Sequence, residues 1–509
     1  MRSGSCTLLS NLQTTTESIL IPLNTRRIFI VACCLGLWLT HALAAPPPEL
    51  PGKWEPPPGD PLEHETAGFA KILCSSIFIT GTPLERAQKS DGYFTAPPEM
   101  RHTVAQIVVD AMKSEVRLTM HNGVVRRARL IGDQGCVTLP RGAEQVFFTP
   151  VPVKPALPDP ETRDWPTGDR LPSTPFPSEI NSEKLAEAVR AAFGDHQNTL
   201  TEAFAVVYKG QLIAERYEAG MDLKTRLAGW SMGKSITATL MALLIRKGLY
   251  DLWQPAPIEE WQNIDDPRRN IRIADLLHMS SGLRCLAPQD PDPAPGYPDH
   301  VYVYTGAIDA FRWSITRPSQ WLPNTVWRYR NCDPLSIGYL IRKAVESQGE
   351  NYLAWPQREL FDKLGIRRMV LETDPYGNFL LNGYELGSAR DWLRLGMLYL
   401  QGGMWNGEQL LPEGWSDFVR TPAPTSSGQY GAFFWLARSS GWPIPQDAYF
   451  MAGSGGQYTF IIPTHDLVVV RLGHDGGERA GTQALSRALD LLMHAIPQSR
   501  ASWDPSRLQ

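Results

Sequence analysis

Ser231 and Lys234 stand three residues apart in Gly229-Trp230-Ser231-Met232-Gly233-Lys234. Downstream, Ile236, Leu240, Leu243, Leu244 and Lys247 keep the three-four spacing of one helix face, and Gly248 is a natural stop. Residues three apart share a helix face, so the hydroxyl and the ammonium can meet. A helix start also offers free backbone N–H groups and the positive end of a dipole. An activated serine nucleophile needs a base within reach and donors for a developing oxyanion. A serine at a helix start also serves as a plain cap, so the pair acquires meaning only from what accompanies it.

Two further segments accompany it, Tyr329-Arg330-Asn331 and Ala452-Gly453-Ser454-Gly455-Gly456-Gln457-Tyr458. With Ser231-Met232-Gly233-Lys234 they resemble the three boxes of serine β-lactamases and penicillin-binding proteins. The Y-x-N middle box points to the class C branch and its relatives, which include family VIII esterases, D-aminopeptidases and 6-aminohexanoate-dimer hydrolases. Ile273 to Leu283 resembles the family segment between the first and middle boxes. The likeness covers roughly residues 180–497.

The resemblance implies a serine hydrolase without cofactor or metal. Ser231 would form an acyl-enzyme, Tyr329 would shuttle its proton, Lys234 would hold both, and Asn331 would orient the acyl side of the substrate. The base is open. Lys234, ordinarily near 10.4, falls when buried, and Tyr329, ordinarily near 10, drops beside an ammonium. The Ser231 N–H and a donor at Gly455-Gly456-Gln457 would make the oxyanion hole, glycine permitting close backbone approach. Many β-lactamases carry Lys-Thr-Gly at the third box, where this chain has Ser454-Gly455-Gly456. Without that lysine, a neutral ester, amide or short peptide-like substrate is favoured over a β-lactam or D-Ala-D-Ala carboxylate. β-Lactamase or D-Ala-D-Ala peptidase activity and a catalytically silent binding protein are the alternatives. Gly229 to Gly233 also fits the G-x-S-x-G nucleophile elbow, but Lys224 to Ala228 makes a poor buried strand before it. His474 and Asp475 are expected in a surface loop.

The elements around these segments read as an α+β fold, an antiparallel sheet built from N- and C-terminal segments beside a helical lobe. That is the β-lactamase/transpeptidase-like fold the resemblance implies. Ala203 to Tyr217 reads as two strands about Lys209-Gly210. Ser182 to Ala192, Leu335 to Val345, Asp391 to Leu400 and Thr482 to Ile496 read as helices. Tyr449 to Pro463 and Leu467 to Leu472 read as a closing hairpin about Thr464-His465-Asp466.

Residues 1–44 read as a signal peptide. Arg26-Arg27 precede an apolar run from Ile28 to Leu39, and Ala42-Leu43-Ala44 offers a cleavage site. An exported, periplasmic or secreted protein without a stable membrane span is expected. Residues 45–63 are a proline-rich tail, 64–150 a small α+β domain, 151–178 a proline-rich connector, 179–497 the hydrolase domain and 498–509 a C-terminal tail. Within 64–150, Val116 to Met120 and Val124 to Ile131 flank the hairpin signal Asn122-Gly123. Arg126, Arg127 and Arg129 are expected on a solvated strand face. Of 7 cysteines, Cys74, Cys136, Cys285 and Cys332 outlast the signal. An even number in an exported chain suggests disulfides. Three pairings are open, and the domain division favours Cys74–Cys136 with Cys285–Cys332. No H-E-x-x-H occurs, and a net charge of -4 in 509 residues gives no reason for a nucleic-acid partner.

Overall fold

The computed structural model describes residues 47–499, apart from 94–97, 292, 293, 295 and 476–478. The expected signal peptide and most of the C-terminal tail lie outside the described residues. Among the described residues, no helix is long and apolar enough to cross a membrane.

A six-stranded antiparallel sheet carries the main core. Its order is Trp435–Leu436, Tyr449–Gly453, Gln457–Ile462, Leu467–Leu472, Ala203–Tyr208 and Gln211–Tyr217. Alternate residues of a strand point to opposite faces, and here both faces are covered. Phe204, Val206, Tyr208, Phe460, Ile462, Leu467 and Val469 pack with Leu185, Phe193, Leu485, Leu489 and Leu492, on the helices Ser182–Phe193 and Ala480–Ala495. Ala205, Val207, Ile461, Val468 and Val470 belong to a second core with Ile236, Leu240, Leu393 and Met397. The helices Gly233–Arg246 and Ala389–Leu400 supply those four side chains. Both sides being buried explains why Leu467–Leu472 is an unbroken apolar run save for Arg471. This is the α+β fold expected, with the earliest and latest stretches of this sheet, Ala203–Tyr208 and Leu467–Leu472, side by side.

The closing hairpin has three strands where the sequence suggested two. Gly455 and Gly456 take φ of 74° and 91°, which lets the chain double back between Tyr449–Gly453 and Gln457–Ile462.

Ahead of the main sheet, Val104–Asp110, Glu115–Met120, Val125–Leu130 and Cys136–Thr138 form a four-stranded antiparallel sheet in chain order. The helix Pro61–Ser75 lies on it, started by Pro61 after the Asp60 cap. Phe69, Leu73 and Cys74 pack on Val116, Leu118, Ala128 and Cys136, and a disulfide joins Cys74 to Cys136. Arg126 does not lie on a solvated face. It is 4% exposed and sits 3.8 Å from Glu63. Positions 126 and 128 of the strand point inward, so the helix covers them. Arg127 and Arg129 pair with Glu144 and Glu115.

The two proline-rich stretches have no core of their own and are laid on other elements. Glu49 pairs with Arg284 at 2.6 Å, and the Trp54 indole donates to Asp299 at 2.7 Å. In the connector, buried Asp169 receives Arg394 at 2.8 Å and Arg368 at 2.6 Å. These charge-assisted bonds fasten it to the main body.

Candidate active site

The short strand Leu227–Ala228 leads into a single turn, Trp230–Met232, and then into the Gly233–Arg246 helix. Ser231 sits in that turn, and Lys234 in the first turn of the helix. Gly229 and Gly233 are required by space. A Cβ on Gly233 would lie 2.1 Å from Glu385 Oε2, and one on Gly229 would lie 2.5 Å from Trp392.

Lys234 Nζ lies 2.9 Å from Ser231 Oγ and donates to the Asn382 carbonyl at 2.5 Å. The lysine is 1% exposed. Burial pushes its ammonium down to about 7. Lys234 Nζ also stands 4.9 Å from the centre of the Tyr329 ring. The phenol moves the other way from the drop the sequence suggested. Burial pushes it above its usual value, and a hydrogen bond with Ser231 opposes the rise. A lysine that readily sheds its charge gives the phenolate no cation to lean on.

Tyr329-Arg330-Asn331 is pinned from behind. Arg330 is 3% exposed and donates to the Leu283 carbonyl at 2.7 Å, Gln320 at 2.8 Å and Asp290 at 2.8 Å. A disulfide joins Cys332, the first residue of the next helix, to Cys285. Asn331 is fully buried, and its amide donates to the His300 carbonyl at 2.6 Å. Of these three residues, Tyr329 lines the cavity, while the Asn331 side chain braces the segment from behind.

Ser231 and Tyr329 open onto a cavity of about 1420 Å³. Trp327, Trp435, Trp442, Phe450 and Tyr458 make an aromatic wall, and His300, Tyr304, Gly453 and Ser454 also line it. The third segment contributes one residue earlier than expected. A Cβ on Gly453 would lie 2.0 Å from the Gly229 carbonyl, so this strand edge runs directly against the turn that carries Ser231. Gly455, Gly456 and Gln457 lie behind the wall. His474 occupies the space a Cβ on Gly455 would need, and Arg471 the space one on Gly456 would need. The Gln457 amide clasps Gly473, accepting its N–H at 2.8 Å and donating to its carbonyl at 3.0 Å.

Several contributors escaped the sequence reading. The Asn382 carbonyl accepts from Lys234 and, at 2.5 Å, from the Tyr304 hydroxyl, and a backbone carbonyl has no sequence signal. Glu385 is fully buried with no hydrogen-bond partner on either side-chain oxygen, and burial pushes its carboxyl well up. A lone glutamate in the apolar run Leu380 to Leu386 was its signal. His474 is 3% exposed, not a surface loop residue, and meets the Trp230 indole.

A profile of the beta-lactamase family matches residues 186–492. A 6-aminohexanoate-dimer hydrolase from Paenarthrobacter ureafaciens is 25% identical over 363 residues, 63% of this chain and 87% of that protein. A solved structure from Bacillus anthracis, described as a candidate 6-aminohexanoate-dimer hydrolase, is 20% identical with a TM-score of 0.50. The match covers 68% of this chain and 88% of that one, and it shows a shared fold. The family profile spans all six strands of the main sheet, and this chain belongs to the beta-lactamase family of hydrolases.

Proposed function

We propose that this protein is an exported serine hydrolase that acts through an acyl-enzyme on Ser231, with a neutral ester or amide as substrate. The observation that carries the reading is the 2.9 Å contact between Lys234 Nζ and Ser231 Oγ at the floor of an open cavity. A neutral Lys234 accepts the Ser231 proton while one of its N–H bonds stays on the Asn382 carbonyl. The freed oxygen attacks the substrate carbonyl, and the Ser231 N–H with an N–H from the Gly453-Ser454 edge stabilises the oxyanion. Tyr329, held protonated by burial, gives its proton to the leaving alcohol or amine and is reprotonated from Lys234. Water then releases the acyl group by the same route in reverse.

Two observations favour an uncharged substrate. The aromatic wall suits an apolar chain, and the cations that line the cavity among the described residues are Arg328, 4.0 Å from Asp290, and solvent-exposed Arg479, with no lysine at the third segment. The 25% identity to a hydrolase of an amide dimer supports the amide arm. The two disulfides support an oxidising compartment such as the periplasm. The test is a fluorophosphonate label on the mature protein, read by mass, with Ser231→Ala and Lys234→Ala as controls. A panel of p-nitrophenyl esters, nitrocefin, D-amino-acid amides and aminohexanoate oligomers follows. Stoichiometric Ser231 adduct with turnover of the esters or amides is expected. An unlabelled protein would mean a silent binding protein, and preferential nitrocefin turnover would mean a β-lactamase.

A further inference from the structure

We infer that Asp91, His474 and Trp230 form a positioning chain through which the N-terminal segment fixes the turn that carries the nucleophile; the inference rests on Ser231 being that nucleophile. Trp230 precedes Ser231 and has φ of 51°, the left-handed region that bulky side chains avoid. Such a conformation persists only where the surroundings over-determine it. The indole is 2% exposed and packs against Tyr384 with ring centres 5.5 Å apart. Its N–H meets His474 Nε2.

An indole N–H only donates. His474 Nε2 therefore accepts, which leaves the ring proton to Nδ1; that atom stands 2.7 Å from Asp91 Oδ1, within ion-pair distance though off the line of a hydrogen bond. The other Asp91 oxygen accepts from the Ser76 hydroxyl. Ser76 and Asp91 belong to the stretch that follows the Pro61–Ser75 helix, so the chain starts in the N-terminal segment and ends one residue before Ser231. His474 also packs in the space over Gly455, and the next residue, Asp475, donates its N–H to the Gly455 carbonyl at 2.8 Å. One imidazole thus sits between the nucleophile turn and the glycine turn of the third segment. The first turn carries the Ser231 N–H, and the glycine turn directly follows the Gly453-Ser454 edge that supplies the second N–H in the proposed reaction.

The peptide bond after Trp230 carries the Ser231 N–H. Letting the indole swing rotates that peptide and displaces the N–H and Oγ together. A displacement of about 1 Å at a reacting centre costs on the order of a hundredfold in rate. Trp230 itself borders the cavity, but the aromatic wall of Trp327, Trp435, Trp442, Phe450 and Tyr458 stays in place, so the loss falls on kcat.

The experiment compares wild type, Trp230→Phe, His474→Leu, His474→Gln and the double variant Trp230→Phe/His474→Leu. It reads the rate of fluorophosphonate labelling at Ser231, kcat and KM on a p-nitrophenyl ester, and melting temperature. Trp230→Phe and His474→Leu should each lower the labelling rate and kcat about ten- to a hundredfold with KM within about threefold. The double variant should lose no more than the worse single one. His474→Gln, whose amide oxygen accepts from the indole, should recover most of the loss. Trp230→Phe labelling at the wild-type rate overturns the inference, and so do losses that multiply in the double variant. If His474→Leu does not fold, Trp230→Phe and His474→Gln still decide. A wild-type protein that gives no Ser231 adduct refutes the catalytic reading and this inference with it; wild-type labelling with Trp230→Phe unchanged refutes this inference alone.

Discussion

The sharpest consequence of the site is the shape of its pH profile. Lys234 is buried, and its ammonium is pushed down to about 7. As a base it works only when neutral. The neutral fraction is then about 1% at pH 5, about 9% at pH 6, half at pH 7 and about 99% at pH 9. The acylation rate should climb nearly tenfold per pH unit up to 6, bend at about 7, and gain only about twofold between pH 7 and 9. An ordinary lysine near 10.4 would gain about a hundredfold over that same window. Tyr329, pushed above its usual value, adds no falling limb below about pH 9. The assay is single-turnover acylation with a p-nitrophenyl ester that does not itself ionise between pH 5 and 9. Stopped flow follows the nitrophenolate burst at each pH, corrected for its own ionisation. A hundredfold rise from pH 7 to 9, or a flat profile from pH 5 to 8, would refute the assignment of Lys234 as base. The sign for stability runs in parallel. Between about 7 and 10.5 the unfolded chain binds the lysine proton that the folded chain has shed, so this group favours folding more as pH rises through that window.

Glu385→Gln should leave the bend of that profile within about half a unit, because burial already holds the carboxyl protonated; a downward move of a unit or more would show a carboxylate there. Replacing Cys285 and Cys332 by alanine opens a bridge with a sequence separation of 47. Loop entropy sets the loss at up to about 4 kcal/mol, read by urea unfolding. Because the bridge holds the start of the helix after Tyr329-Arg330-Asn331, kcat should fall under conditions where the variant remains folded. Lys71 reaches from the N-terminal segment to Glu372, and the pair is 1% and 0% exposed. Glu372 also accepts from Ser75 at 2.9 Å and from the Cys136 N–H at 2.7 Å. Lys71→Met strands that carboxylate and should cost about 3–5 kcal/mol in chemical denaturation, while Lys71→Met with Glu372→Gln should recover part of it.

What the sequence made legible was local. The Ser231–Lys234 contact follows from a three-residue step on a helix, which neighbours alone decide. The Asn122-Gly123 hairpin and the Ala203–Tyr208 and Gln211–Tyr217 pair follow from turn chemistry and alternation. The paired ends of the chain in one sheet came from the family likeness, since alternation alone says strand and does not name its partner. What stayed hidden was set by residues far apart in the chain. The carbonyl that receives Lys234 is 148 residues away, and the histidine that meets Trp230 is 244 away. The expectation for Asn331 came from the family likeness and carried no hint that its amide N–H meets the His300 carbonyl, 31 residues away in the chain.

The third segment shows why register matters to chemistry. Reading Ser454-Gly455-Gly456 as the wall placed two glycines where ligand would lie. The positive φ of both turns the chain away after Ser454, so Gly453 and Ser454 face the cavity and the glycines face Arg471 and His474. Arg471 is a buried cation beside that turn, and its donors are already used. It donates to the Gly456 carbonyl at 2.7 Å, the Thr199 carbonyl at 2.7 Å and the Thr201 hydroxyl at 3.2 Å. Burial holds it down to about 10, so it stays charged and stays committed to those oxygens. A substrate carboxylate arriving at Ser454 would meet aromatic rings and shed its water, and the cations lining the cavity, Arg328 set against Asp290 and solvent-exposed Arg479, would return little of that cost. Desolvating an unpaired charge is costly, and an ester or an internal amide avoids that cost entirely.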